Sequence, residues 1–332
     1  MNIVPNFVRR RLARRPNLLK IVDNIGWLLM DKILRMGVGL LLGVWIARYL
    51  GPEQFGQINF ATAFVGLFSA IAGLGLQSIV IRDIVNDPDN AKLTLGTAGI
   101  LHAIGGLLAF ILALGFIAYL RPDDVIARSI VAILGSAMLF KFSDVAVYWF
   151  ESQVQSKYIV WVQNCAFLIF AVVKIGLVLN MSSLTAFVWT TMAEALLVAI
   201  LMLLTLGIHG QMLRQFRFTL KRAKELLTDS WPLLLSGFAI MIYMKIDQIM
   251  LGQLVGDEAV GVYSAAVRIS EVWYFIPMMI LTSVFPSILE AKKKSEVYFY
   301  QRLQSLFDLM TLISIPVAIA MTVLSSFVIE AL

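Results

Sequence analysis

The chain has 332 residues, of which 60% are hydrophobic and 14% charged, and its mean hydropathy is +0.85. That is more apolar surface than a soluble domain of this size can bury, so lipid has to serve as part of its solvent. The formal net charge of +6 would suggest nucleic acid for a soluble protein. In a membrane protein the position of the charges decides more than their sum, and no nucleic-acid partner is expected. A strand barrel is excluded too, because barrels alternate apolar and polar residues, whereas here stretches of about 20 residues are apolar on every face. Helices satisfy their own backbone groups, so the expected fold is an all-α, polytopic helical membrane bundle.

Residues 1–24 are basic and mildly amphipathic, as in Phe7-Val8-Arg9-Arg10-Arg11-Leu12. The first apolar run carries Asp31, Lys32 and Arg35, and no small-residue cleavage site precedes it. The segment is therefore expected to be an interfacial cytoplasmic arm held by anionic lipid, not a cleaved signal.

Nine apolar runs follow that can each cross a bilayer: Gly26–Tyr49, Gln57–Val80, Leu93–Leu120, Val125–Tyr148, Tyr158–Leu179, Leu184–Gly207, Trp231–Val255, Ala259–Val284 and Leu303–Val328. Helix-end chemistry separates them. Gly51-Pro52-Glu53 puts a glycine where a left-handed cap is needed, a proline in a first turn and an acid near a helix N-terminus. Asp87-Pro88-Asp89-Asn90, Arg121-Pro122-Asp123-Asp124 and Ser230-Trp231-Pro232 are expected to start helices. Pro277 and Pro316 fall inside spans and should kink them. Cys165 lies in the fifth run, can form no intrachain disulfide and reads as a packing residue.

With the N-terminus in the cytoplasm, eighteen lysines and arginines fall in cytoplasmic segments. They lie in the arm, at Arg82 and Lys92, at Lys157, in Arg214–Lys224, and at Lys292, Lys293, Lys294 and Arg302. Three, Arg48, Arg121 and Arg128, fall outside. The bias fixes the expected orientation and places Leu332 outside.

The sequence also repeats itself. Tyr49-Leu50-Gly51-Pro52-Glu53-Gln54-Phe55-Gly56 is echoed by Leu254-Val255-Gly256-Asp257-Glu258-Ala259-Val260-Gly261, with Gly51 and Gly256, and Gly56 and Gly261, each 205 residues apart. Six spans separate the copies, so both hairpins face the same way and the repeats are parallel, related by an axis along the membrane normal. The expected organisation is an arm (1–24), a six-helix bundle (25–207), a basic cytoplasmic linker (208–230) and three helices of a second bundle (231–332). By the same logic the second repeat stops after three helices, and a complete pair would need about 80 further residues.

At this point a resemblance emerges. Asn24-Ile25-Gly26-Trp27 followed by Ile46-Ala47-Arg48-Tyr49-Leu50-Gly51-Pro52-Glu53-Gln54-Phe55-Gly56 resembles the N-terminal signature of polysaccharide-biosynthesis flippases. Asp247-Gln248-Ile249-Met250-Leu251-Gly252, then Gly256 and Gly261-Val262-Tyr263-Ser264-Ala265-Ala266, resembles the second-half signature of the same family. The resemblance implies two six-helix bundles around a cavity that opens alternately to each side, as in multidrug and toxin extrusion antiporters of the same superfamily. It implies an undecaprenyl-diphosphate-linked oligosaccharide as substrate, the bacterial inner membrane as location, and a polysaccharide polymerase machinery as a partner beside membrane lipid. Ending early departs from the two-bundle pattern.

Besides Arg48 and Arg128 near the outer ends, twelve charged residues lie inside the runs, each costing about 2.5–3.5 kcal/mol at the bilayer centre, so they must face one another or water. Lys141 with Asp144 and Arg268 with Glu271 are three apart on a helical face and could neutralise each other. Lys174 could snorkel to the interface, and Asp308 is close enough to its helix start to be interfacial. The resemblance implies that Arg35, Lys245 and Arg268 are cavity cations for the diphosphate, arginine by bidentate contact and lysine as a point charge. Asp247, Glu271 and Asp31 would then couple a proton or Na⁺, or simply balance the cations. Arg48 reads as a headgroup anchor.

Enzymatic motifs are not apparent. His102 and His209 are too few for a metal site and His102 reads as a packing residue; no phosphate-cradling Gly-Lys-Ser/Thr loop occurs, and no cofactor is expected. Gly37, Gly39 and Gly43 are at the spacing of close helix contacts. Tyr148-Trp149-Phe150 and Trp273-Tyr274-Phe275 read as interface belts or packing. The expectation is a flippase; the alternatives are a drug or metabolite antiporter and a truncated, non-transporting assembly partner.

Overall fold

The computed structural model describes residues 16–210, 215–274 and 295–323, with 276–277, 280–281, 284, 288 and 291–292 between them, and side chains from Gly26 onward. The expectations placed on the arm before Pro16, on Arg214, Lys293 and Lys294, and on Leu332 fall outside the described residues. The chain is 92% helical, with no strand among the described residues. It divides into two compact units, Met1–Gly261 and Val262–Leu332.

Among the described residues ten α-helices follow one another: α1 (Pro16–Gly73), α2 (Leu76–Asn86), α3 (Ala91–Leu120), α4 (Val125–Gly135), α5 (Asp144–Ser152), α6 (Ser156–Leu179), α7 (Leu184–Ile208), α8 (Leu220–Leu254), α9 (Asp257–Glu271) and α10 (Glu296–Val323). Among the described residues seven helical stretches are long and apolar enough to cross a membrane. The first, Gly26–Asn86, holds two crossings, because α1 breaks at Gly51 (φ 73°) with Pro52 opening the next turn. With α9 and its 3-10 extension Val272–Tyr274, the elements agree with about nine spans.

Turn chemistry acts where the sequence placed it. Asp87 accepts the Asn90 amide ahead of α3, and Asp124 accepts the Ala127 amide at 2.9 Å to cap α4. The third start signal is displaced: α8 begins at Leu220, capped by the Thr219 hydroxyl, and runs unbroken through Pro232. The first three turns of α8 are amphipathic, and burying Ala223, Leu226 and Ser230 against α2 and α3 keeps them helical.

The fourth run is not one α-helix. Between α4 and α5 the chain winds as a 3-10 helix over Ser136–Ser143, twice the usual three or four residues. It lies so close to α3 that a Cβ on Gly106 would collide with the Met138 carbonyl. The hydroxyls of Ser136 and Ser143 donate to Ile133 O at 2.6 Å and Phe140 O at 2.8 Å, which keeps carbonyls of the tightened turns satisfied.

Among the described residues the two largest apolar clusters lie toward opposite ends of the first unit. One gathers Phe60, Phe64, Ile117, Ile130, Val188 and Ile249 near the Gly51 break. The other gathers Leu76, Val80, Ile84, Leu95, Tyr148 and Leu226 near the start of α8. Between them His102 is wholly buried and donates from Nδ1 to Ala72 O, while the Tyr148 hydroxyl donates to Nε2, both at 3.0 Å. A carbonyl can only accept, so the tautomer is settled, and His102 is a packing residue as expected.

Two packing expectations are corrected. A Cβ on Gly37 would meet nothing within 4 Å among the described residues, and one on Gly39 only Phe167 at 4.0 Å. The close contacts belong instead to glycines at hairpin ends and along α3. Cys165 is exposed, because the turn of α6 that buries Asn164 and Ala166 points it away. Of the two readings of Tyr148-Trp149-Phe150, packing holds for Tyr148 and Phe150, which are core residues.

Candidate functional site

The polar groups inside the helices were expected to find one another, and several do. Lys141 Nζ donates to Asp144 Oδ2 at 3.0 Å, as the spacing of three required. Lys174 does not snorkel: its ammonium donates to Glu194 at 2.9 Å, bridging α6 to α7 with both side chains under 20% exposed. Pairing removes the charge from the apolar surroundings more completely than reaching for a helix end would. Arg48 and Asp308 are exposed, as interfacial residues should be, and Asp308 accepts from Gln304 at 2.8 Å.

Arg35 occupies a more particular setting. Asp31, one turn earlier on α1, accepts from its Nε at 2.8 Å, and the guanidinium stands 5.4 Å from the Phe167 ring of α6. Its Nη2 is buried with no hydrogen-bond partner among the described residues. Trp27, two turns before Arg35, sits 6.0 Å from Trp161, and its Nε1 and the Asn164 Oδ1 are likewise buried without partners. One face of α1 thus meets one face of α6 with aromatic rings and three incompletely used polar groups.

Lys245 and Asp247 lie on α8. Two residues apart, they point some 200° from each other around the helix. Lys245 is half-buried with no carboxylate partner among the described residues; Asp247 is exposed and accepts the Gln248 amide at 2.7 Å. Arg268 and Glu271 stand three apart toward the end of α9, within the second unit.

The repeated hairpins meet in a way the sequence only half disclosed. A Cβ on Gly56 would collide with the Asp257 carbonyl and come 2.9 Å from Gly261 N. One on Gly261 would collide with the Pro52 carbonyl and come 3.1 Å from Gly56 N. Since Asp257 is Pro52 plus 205 and Gly261 is Gly56 plus 205, the contact is reciprocal, as across a two-fold axis. Gly256, the counterpart of Gly51, also has positive φ, 121°.

Arg121 locks this junction. Its Nη1 lies 2.9 Å from Asp257 Oδ1 and donates to Asp124 at 3.2 Å; its Nη2 donates to Gly252 O at 2.6 Å, and its carbon lies 3.8 Å from the Phe60 ring centre. The side chain is 10% exposed. The carbonyl it holds is near the end of α8 and the carboxylate is at the start of α9, so one guanidinium ties the second hairpin to α3 and α1. The sequence places Arg121 among the exterior cations and in a helix-start signal, and neither reading points to Asp257. Asp257 is 136 residues away, and no local periodicity relates the two. Among the described residues no group of three or more histidines, cysteines or carboxylates could hold a metal.

The sequence profile of a family described as polysaccharide biosynthesis protein matches residues 21–292. The chain is 23% identical to the succinoglycan biosynthesis transport protein ExoT of Rhizobium meliloti, over 82% of this chain and 53% of that one. It is also 23% identical to a protein of Shigella flexneri named "Putative O-antigen transporter", over 94% of this chain and 76% of that one. It therefore spans about half the length of the first relative and three quarters of the second. Among solved structures it is similar to a multidrug resistance MATE family transporter of the MOP superfamily in an inward-facing conformation. The TM-score is 0.73 at 17% identity, over 89% of this chain and 71% of that one, a likeness of fold.

Proposed function

The chain belongs to the polysaccharide biosynthesis protein family, and on that premise we propose that it acts, without enzymatic chemistry, in flipping an undecaprenyl-diphosphate-linked oligosaccharide across the bacterial inner membrane. The repeat unit is one of O-antigen or capsule, and the N-terminus is cytoplasmic. Membrane lipid, the lipid-linked oligosaccharide and a polysaccharide polymerase machinery are its partners on this reading. The observation that carries it is the reciprocal Gly56–Gly261 contact locked by Arg121. Alternating access needs two like halves that part at one mouth while meeting at the other, and a two-fold contact at one end of the repeats supplies the meeting. The excess of basic residues at the other end, from Arg82 to Lys224, favours a reading in which the locked mouth is outside. The likeness to an inward-facing transporter supports the same assignment.

On this reading Arg35, Lys245 and Arg268 bind the diphosphate, and Asp31, Asp247 and Glu271 couple an ion or balance the cations. Arg35 has the geometry for both states. Asp31 holds one edge of its guanidinium, and Nη2 remains for a phosphate oxygen. The domain reading, a bundle at 25–207, a linker at 208–230 and part of a second bundle from 231, belongs to the proposal.

The test is export of surface polysaccharide in a flippase-deficient strain, with membrane abundance measured alongside. Arg35→Ala, Lys245→Ala and Arg268→Ala should each abolish export while leaving abundance nearly intact. Arg35→Lys should keep partial export if a point charge suffices and little if bidentate contact is needed. Wild-type export from all three neutralised variants would remove these residues from the mechanism. Drug resistance conferred without polysaccharide export would overturn the substrate assignment.

A further inference from the structure

The first turns of α8 carry two kinds of cation. Arg222 is committed to the protein, donating to Asp83 at 2.7 Å, Thr94 at 3.1 Å and Glu225 at 3.1 Å, while Asp229 on the same helix accepts from Arg82 at 2.6 Å. These links pin one flank of the helix to α2 and α3. Lys221 and Lys224 are exposed, and neither meets a carboxylate among the described residues. The nearby acids Glu225 and Asp229 are already taken.

Beside Lys224 a groove of about 670 Å³ runs between α8 and α3. Leu101 and Ile104 form its α3 wall; Leu220, Leu227 and Trp231 form its α8 wall, with Thr228 beside Lys224. Ile104 lies thirteen residues into α3, about 20 Å along the helix from its start, so the groove descends from the helix ends toward the hydrocarbon. Trp231, 58% exposed, sits where an indole prefers the boundary between headgroups and acyl chains. An apolar channel with a tryptophan on its wall, a hydroxyl and the Lys224 ammonium at its edge, and a second exposed lysine, Lys221, one helical turn away matches one kind of molecule in this setting.

We propose that this groove holds an anionic glycerophospholipid of the adjoining leaflet. One acyl chain lies along Leu101, Ile104, Leu227 and Trp231, and the phosphate accepts hydrogen bonds from Lys224 and Thr228, with Lys221 adding attraction. A bound lipid would fix the start of α8 against α3 from the flank the salt bridges leave open. The site does not depend on the transported substrate.

Native mass spectrometry of the full chain, delipidated in mild detergent and offered equal phosphatidylglycerol and phosphatidylcholine, tests this. The wild type should retain phosphatidylglycerol in preference, and Lys221→Gln with Lys224→Gln should reduce that preference about fivefold per lysine. Lys157→Gln, a lysine removed elsewhere on the surface, should leave it unchanged. Ile104→Trp, which fills the channel, should lower retention of both lipids, and inorganic phosphate should not compete. Equal retention of the two lipids by the wild type would overturn the proposal, as would a double variant that keeps the full preference. A polyprenyl diphosphate displacing phosphatidylglycerol at equal concentration would also overturn it, by giving the groove to the substrate. Unchanged elution of the variants on size exclusion establishes that they fold.

Discussion

Replacing Arg121 by glutamine separates a lock from an incidental contact. The guanidinium and the Asp257 carboxylate are 10% and 13% exposed, so neither can turn to water when the other is removed. Removing one member of a buried ion pair costs about 3–5 kcal/mol, mainly because the remaining charge is stranded. Arg121→Gln also loses the strong donation to Gly252 O and the contact with Phe60, so it should fall in that range. Asp257→Asn should cost less, about 1–3 kcal/mol, because Asp124 still accompanies the arginine at 3.2 Å. The double variant strands no charge, and its cost should undercut the sum of the singles by about 1–3 kcal/mol. Equilibrium unfolding in mixed micelles measures all three. Singles below about 1 kcal/mol, or costs that add within about 0.5 kcal/mol, would refute the lock.

A methyl group on Gly56 or Gly261 meets a backbone carbonyl that cannot rotate away, so Gly56→Ala and Gly261→Ala should destabilise by about 1–3 kcal/mol, while Gly37→Ala should stay within about 0.5 kcal/mol of the wild type. Unfolding midpoints in detergent decide this, and equal effects at all three sites would contradict the hairpin contact. Lys174→Ala should lower membrane abundance by stranding Glu194, and Lys174→Ala with Glu194→Ala should restore it; a double variant as depleted as the single would deny the pairing. In a cysteine-free background, a cysteine at Lys221 should react with an impermeant maleimide only from the cytoplasmic side, and labelling from the periplasm would invert the orientation.

The spans were legible because twenty apolar residues in a row admit few alternatives, and the hairpin ends because Gly, Pro and Asp have fixed conformational uses. What hydropathy cannot see is winding within an apolar run. Ser136–Ser143 has the composition of an ordinary membrane helix, and only the approach of Gly106 to Met138 explains its tighter turns. Pro232 misled because proline opens helices more often than it sits inside them; the cap at Thr219, thirteen residues earlier, is a weaker signal. Lys141 and Asp144 could be paired by counting residues, whereas Lys174 and Glu194 are on different helices and Arg121 and Asp257 on different repeats, distances that no spacing rule bridges.

The pairings also sharpen which charges call for another explanation. Lys141, Lys174 and Arg121 each have a carboxylate within 3.2 Å, so their cost in the membrane is met inside the protein. Arg35 is met on one edge only, since Asp31 takes Nε while Nη2 is buried and unused, and half-buried Lys245 has no carboxylate among the described residues. A stability role would predict full pairing at both, because an unmatched cation away from water is among the costliest groups a fold can keep. Substrate binding predicts the reverse, a cation held in place by one contact with its remaining donors open to an anion that comes and goes. On the proposed reading Arg35 fits the second description in part: Asp31 holds Nε, Nη2 is unpaired, and a phosphate would reach Nη2 only where the covering face of α6 moves away. On that reading the placing of Asp31 one turn away on the same helix has a use: a partner on the same rigid element moves with the arginine, and would steady it whichever mouth is open.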